Sequence, residues 1–321
     1  MEDFIVKIEE ETDPRYGYIP EKRPIHEYLE HGIVNLDKPI GPTSHEVVAW
    51  VKKILKVDRA AHGGTLDPKV SGVLPIALGR ATRMIKFIMG AGKEYICVMS
   101  LHGDVSREEL LNVCNEFIGV IYQRPPLRSS VRRVVRTRRI HFIDVLEFKD
   151  RYVLMAVGCE AGTYIRKLCH DIGEILGCGA HMKELRRTRA GPFSESDNLV
   201  TLHDLADAYS CWVEEKNELL LRRVVMPMEY ALKDVRKVYI RDSAVDAICH
   251  GADLAAPGVV KVDVKVSKGD VVAIMTLKGE LVAFGKALVP AKEMVELSKG
   301  IVVDTERVIM KPGTYPKQWG R

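Results

Sequence analysis

A single carboxylate, Asp67, stands at the centre of Gly-Gly-Thr-Leu-Asp-Pro-Lys-Val-Ser-Gly, residues 63–72. An ionised aspartate in such a setting can attack an electrophilic carbon. Pro68 fixes its own φ and biases Asp67 towards extended backbone, while Gly63, Gly64 and Gly72 let the chain turn tightly on either side. The expected result is a carboxylate presented on a turn and kept out of the core. Arg80 and Arg83 follow closely and are the expected source of the cation that keeps it charged. An isolated Asp-Pro pair more often does nothing but reverse the chain, so the weight rests on the length of the surrounding segment, which continues Val-Leu-Pro-Ile-Ala-Leu-Gly-Arg-Ala-Thr-Arg to residue 83.

The elements that position this turn are legible on both sides. Gly-Ile-Val-Asn-Leu from residue 32 reads as a strand. Thr43 with Glu46 three residues later forms a capping box, and Val47, Val48, Val51, Ile54 and Leu55 recur at helical spacing, so an amphipathic helix leads into the Asp67 loop. Residues 93–101 form an apolar strand candidate ending at His102-Gly103. Ser106 and Glu109 cap a second helix with Leu110, Val113, Cys114 and Phe117 inward, ending at Gly119. Strand candidates 139–149 and 152–159 precede a helix over 164–176 with Ile165, Leu168, Cys169, Ile172, Ile175 and Leu176 on its apolar stripe. Strands and helices mix without a βαβ rhythm, which favours an α+β fold. Past about Arg236 short strands and glycine turns take over, and 270–277 with 280–288 joined by Lys278-Gly279 is a hairpin signal.

The 321 residues can bury a sizeable core and suggest two domains plus an arm, divided as 1–30, 31–235 and 236–321. The net charge of +4 hides segregation: the first thirty residues hold nine acids and four bases, whereas 124–139 holds seven arginines and no acid. That arginine run is a phosphate-binding candidate. The acidic, proline-punctuated opening to about Pro24 reads as an extended arm lying on a neighbour or on another part of the fold. Seven cysteines occur without a Cys-x-x-Cys pair, which points to neither a zinc site nor a disulfide framework. No apolar run reaches membrane-spanning length and no signal pattern opens the chain, so an intracellular, cytoplasmic protein without a membrane partner is expected.

The segment 62–83 resembles the signature of the TruB and dyskerin branch of RNA pseudouridine synthases. His62 takes the family's histidine position, Ala61 and Gly63 depart from the usual Gly and Ser/Thr, and Lys69 resembles the archaeal and eukaryotic branch. The resemblance runs from Gly32-Ile-Val-Asn-Leu-Asp-Lys-Pro to a tail from about Val238 to Lys311 that is similar to a PUA domain, a small RNA-binding β pseudo-barrel. It implies a mixed-sheet catalytic domain and an enzyme that isomerises uridine to pseudouridine without metal or organic cofactor. It also implies site roles: Asp67 as nucleophile, Tyr95 stacked on the extruded uracil, and Arg166 in Gly-Thr-Tyr-Ile-Arg-Lys-Leu paired with Asp67. His62 would contact the phosphates next to the target or wedge into the vacated stack, Leu185 would pack on the flipped base, and Arg186 and Arg187 would line the RNA path. Gln123-Arg-Pro-Pro-Leu-Arg-Ser-Ser-Val-Arg-Arg is similar to a family loop that closes over RNA, which brings in Arg128, Arg132 and Arg133. Such relatives work with an H/ACA guide RNA and three small proteins on rRNA. The absence of long lysine-rich tails suits an archaeal chain. The alternatives are a stand-alone tRNA enzyme acting on the TΨC loop and a non-catalytic RNA-binding scaffold.

Overall fold

The computed structural model describes residues 3–125 and 132–317, which fall into two compact units. One unit comprises 34–76 and 85–224; the other comprises 3–33, 77–84 and 225–317.

In the first unit a mixed sheet runs in space through Gly32–Lys38, Ser71–Leu78, Ala180–Ala190, Lys93–Leu101, Tyr152–Cys159, Arg136–Lys149 and Gly119–Gln123. Ser71–Leu78 and Ala180–Ala190 pair in parallel, and the strands from Ala180–Ala190 onward pair antiparallel. Cys97, Met99 and Leu101 alternate inward from the central strand and meet Val153, Met155 and Val157 of its neighbour. The helix Ile165–Ile175 closes this face with Ile165, Leu168, Cys169 and Ile172, a one-sided stripe at helical spacing. Both expected capping boxes are formed: Glu46 accepts the Thr43 N–H at 2.8 Å while Thr43 Oγ1 accepts the Glu46 N–H at 3.2 Å, and Ser106 with Glu109 repeats the arrangement. The strands Ser71–Leu78 and Ala180–Ala190 and the helix Leu202–Glu215 are elements the sequence reading did not assign. The strand Ala180–Ala190 is obscured in the sequence because Lys183 and its three arginines break the apolar alternation.

The second unit is built on a sheet ordered Phe4–Val6, Val259–Asp263, Arg236–Ile240, Val271–Thr276, Leu281–Ala287, Ile301–Val308 and Leu254–Ala255. The expected hairpin is present, with Ala273 opposite Phe284 and Gly279 at φ +86° in its turn. Val238, Ile240, Val262, Ile274, Val282 and Val302 fill the core. The acidic arm belongs here because Phe4–Val6 adds an antiparallel strand beside Val259–Asp263. Lys7 then caps three carbonyls, those of Ala256 (2.9 Å), Met294 (3.2 Å) and Leu297 (2.5 Å). Arg23 pairs with Glu229 through two bonds of 2.9 and 2.7 Å, and Tyr315 donates to buried Glu280 at 2.8 Å. Among the described residues no helix is long and apolar enough to cross a membrane.

Candidate active site

Leu66 and Val70, 4% and 2% exposed, anchor the two ends of the Asp67 turn in the core, and the residues between them are therefore pushed outward. The Val70 N–H donates to the Asp67 carbonyl at 3.0 Å, closing a β-turn with Pro68 in its second position. Three neighbours fix this turn. Ser44 Oγ accepts the Leu66 N–H at 2.8 Å and donates to the Leu66 carbonyl at 3.0 Å; Gly41 N–H donates to the Pro68 carbonyl at 2.8 Å. Lys38, fully buried, donates from Nζ to the Pro39 and Val70 carbonyls, both at 2.9 Å. Burial pulls the Lys38 ammonium below its ordinary value, with the Asp67 charge acting in the opposite direction.

The Asp67 carboxylate is half exposed and meets the Arg166 guanidinium at 2.6 Å. Arg166 is the second residue of the helix Ile165–Ile175, so the helix start aims it across at the turn. Arg80 and Arg83, the cations expected from their nearness in sequence, are engaged elsewhere: Arg80 donates to the Ile309 carbonyl at 3.0 and 2.7 Å, and Arg83 to the Val308 carbonyl at 3.1 Å. The short helical turn Gly79–Met84 carries them into the second unit.

Tyr95 lies opposite Arg187 in the antiparallel register, and Cys97 opposite Leu185. Tyr95 and Leu185 are half-buried beside one another's strands at the edge of the apolar cluster. Burial raises the Tyr95 phenol, and the hydrogen bond and charge of Arg187 work against that rise. Arg187 is only 1% exposed; it donates to the Val73 carbonyl at 2.8 Å and the Gly64 carbonyl at 3.0 Å, and its charge lies near the Tyr95 hydroxyl. Its expected place on an RNA-lining surface is not where the structure puts it, because its guanidinium is spent on protein acceptors inside the sheet. Gly72, at φ +103°, allows this arrangement: a Cβ there would stand 2.2 Å from the Arg187 carbonyl oxygen.

Arg186 points to the opposite side of the strand and is held by Asp37 (two bonds of 3.0 Å) and Glu195 (2.5 Å). Arg132 and Arg133 are exposed, Arg133 donating to the Pro125 carbonyl at 3.2 Å, and Arg128 lies outside the described residues. His62 ends the strand Ala60–His62, accepts the Gly64 N–H on Nδ1 at 3.4 Å, and packs edge-on to His45 with ring centres 5.1 Å apart. Burial first, then the neighbouring His45 and Arg187, lower its pKa, which favours the neutral imidazole. Lys93, its ammonium pulled down to about 8 by burial, donates to the Ile88, Met89 and Ala91 carbonyls and so fixes the turn that starts the Tyr95 strand. Among the described residues no group of three His, Cys, Asp or Glu side chains is arranged as metal ligands.

Sequence reasoning therefore found Asp67, Tyr95, Arg166, Leu185 and His62 on one cluster of elements. It missed Ser44, Lys38 and Lys93. The available signal for the two lysines was a cation next to an apolar strand, which a solvated surface residue gives equally well.

Family models match along the chain: the TruB family pseudouridylate synthase N-terminal domain over 52–165, the tRNA pseudouridylate synthase B C-terminal domain over 166–233, the PUA domain over 236–309 and the DKCLD (NUC011) domain over 1–48. A probable tRNA pseudouridine synthase B of Methanopyrus kandleri is 64% identical over 99% of this chain and 94% of that protein. Its counterpart in Thermococcus kodakarensis is 59% identical over the same shares. Among solved structures, the chain is similar to one in a Cbf5-Nop10-Gar1 complex (TM-score 0.90, 57% identity, 98% of this chain and 96% of that one). It is also similar to one in an H/ACA RNP bound to a substrate RNA containing 2'-deoxyuridine (TM-score 0.91, 55% identity, 98% and 97%).

Proposed function

The chain belongs to the TruB family of pseudouridylate synthases, and from that premise we propose that it is the catalytic subunit of an H/ACA-type ribonucleoprotein, with Asp67 as its nucleophile. The reaction it catalyses is the isomerisation of uridine to pseudouridine in RNA. One observation carries the assignment of the site: a half-exposed carboxylate on a pinned turn, 2.6 Å from an arginine presented by a helix start, beside a half-buried tyrosine.

The residues divide the work as follows. Asp67 forms a transient covalent bond to the extruded nucleotide, the N1–C1′ bond breaks, the uracil turns, C5 bonds to C1′, the bond to Asp67 breaks again, N1 takes up a proton and the C5 proton leaves to solvent. Arg166 holds the carboxylate aimed at the nucleotide. Tyr95 offers a flat face for the base, and Leu185 an apolar wall beside it. Burial raises the Tyr95 pKa, so the phenol stays protonated beside the base. His62, neutral by burial, contacts the flipped nucleotide or its flanking backbone without adding charge. Arg132 and Arg133 bind the RNA backbone together with Arg128, which lies outside the described residues, Arg186 stiffens the site through Asp37 and Glu195, and the tail from 236 onward holds the guide. Residues 1–30 serve as an arm and 31–235 as the catalytic domain in this reading. The partners are the guide RNA and three small proteins, two of them of the kind named with the similar structure, and the setting is the archaeal cytoplasm.

A second reading has its own support, since the curated relatives carry the name of a tRNA enzyme. Tritium release from C5-labelled uridine, measured on guide-paired rRNA and on free tRNA with and without the small proteins, separates the two. Release from guide-paired rRNA only in the assembled particle supports the first; release from free tRNA by the chain alone supports the second. An assembled particle that releases none from either RNA leaves the scaffold reading standing.

A further inference from the structure

The ion pair that aims Asp67 is half exposed on both sides. An exposed pair in water is too weak to hold its own geometry, so whatever fixes Arg166 must act through the backbone of the helix that carries it. A described side chain stands in that position. Gln123, the last residue of the strand Gly119–Gln123, is 2% exposed and spans to Tyr164: its Oε1 accepts the Tyr164 N–H at 2.9 Å and its Nε2 donates to the Tyr164 carbonyl at 3.1 Å. The same carbonyl accepts the Lys167 and Leu168 N–H groups at 3.1 and 3.0 Å, the first bonds of the helix. The primary amide thus grips both backbone polar groups of Tyr164, the residue from which the helix grows, two residues before Arg166.

Other contacts make the same loop stiff without choosing the helix direction. The Glu160 N–H donates to the Arg139 carbonyl at 2.8 Å, the Glu160 carboxylate accepts the Arg139 N–H at 3.1 Å, and Thr163 Oγ1 donates to the Glu160 carbonyl at 2.7 Å. These tie residues 160–163 to the strand Arg136–Lys149. The Gln123 amide, by contrast, engages Tyr164 itself.

We propose that Gln123 is a positioning residue for the isomerisation, setting the start of the helix Ile165–Ile175 so that Arg166 meets the Asp67 carboxylate. This rests on the reading of Asp67 as nucleophile given above. The requirement is chemical: the position needs one donor and one acceptor at fixed spacing, which a carboxamide supplies and a carboxylate does not. Glutamate at 123 would keep the acceptor for the Tyr164 N–H but set a second acceptor against the Tyr164 carbonyl. Protonation of that glutamate restores a donor.

The test is single-turnover tritium release by the full chain on an RNA the wild-type protein converts, alongside RNA affinity from filter binding. Q123A is expected to lower the rate about tenfold or more, since sub-ångström misplacement of a reacting group is costly, while leaving RNA affinity within about twofold. Q123E is expected to fall similarly near pH 7.5 and to close part of the gap to wild type as the pH is lowered towards about 5.5, because burial at this 2%-exposed position and the facing Tyr164 carbonyl lift the carboxyl above its ordinary value of about 4.3. In an R166A background, Q123A should cost nothing further, because its route to the reaction is already cut. Wild-type rates for Q123A, a pH-independent Q123E deficit, or equal losses in both backgrounds would each overturn the proposal. If Q123A does not fold, Q123E supplies the same decision. Wild-type protein that releases no tritium even in the assembled particle takes down the parent reading and this one together, whereas an active wild type with an indifferent Gln123 takes down this one alone.

Discussion

Replacing Ser44 by alanine removes one hydroxyl that makes both bonds to Leu66, the residue directly before Asp67. Ser44 is fully buried and Leu66 is 4% exposed, so water does not replace the lost partners cheaply. A buried N–H left without an acceptor costs about 1–3 kcal/mol, and the lost O–H to carbonyl bond adds about 1 kcal/mol net. Against this, alanine is the better helix former at the first position of Ser44–Leu55 by about 0.5 kcal/mol. The loss wins, at about 2 kcal/mol, and it falls on the turn and not on the sheet. Hydrogen exchange of the amides across 64–70 should accelerate about thirtyfold, the equivalent of that energy at 25 °C. Single-turnover rate should fall about 10- to 100-fold from the displaced carboxylate, with RNA affinity little changed. Unaltered exchange across 64–70 together with a rate within twofold of wild type would refute the account of how the turn is held.

Asp67→Asn removes the nucleophile while keeping shape and hydrogen-bonding reach; turnover should drop at least about a thousandfold with RNA affinity within about threefold, and appreciable product in a tritium assay would contradict a covalent role. His62 has a folded pKa below its ordinary 6.5, so the folded state binds fewer protons than the unfolded one in the acid range. Its contribution to stability is therefore complete above that ordinary value and is lost as pH falls through the folded pKa, and His62→Gln should flatten the fall in thermal midpoint measured from pH 7 downwards. Lys7→Ala deprives three carbonyls of their shared donor and should destabilise the second unit by about 1–3 kcal/mol in denaturant melts, with turnover on a pre-bound minimal RNA unaffected.

Much of the site was legible because its signals are local. The Asp67 turn depends on Leu66, Pro68 and Val70, all within three residues, and both capping boxes and the Lys278-Gly279 hairpin are set by neighbours in the chain. Tyr95, Arg166 and Leu185 were named through the resemblance of their segments to a family, not through any geometry the sequence displays.

What the chain order could not say is which cation meets Asp67. The arginines nearest in sequence, Arg80 and Arg83, serve the carbonyls of Ile309 and Val308, and the partner of Asp67 comes from 99 positions away. The burial of Arg187 was equally invisible: three arginines in one strand look alike until the register sets one opposite Tyr95 and another against Asp37 and Glu195. So was the place of the acidic arm, whose strand pairs with residues more than two hundred positions later. Hydrophobic period, proline and glycine act over a few residues and so are written in the sequence, whereas ion pairs and buried hydrogen bonds depend on which backbone segments the closed sheet brings within 3 Å of one another.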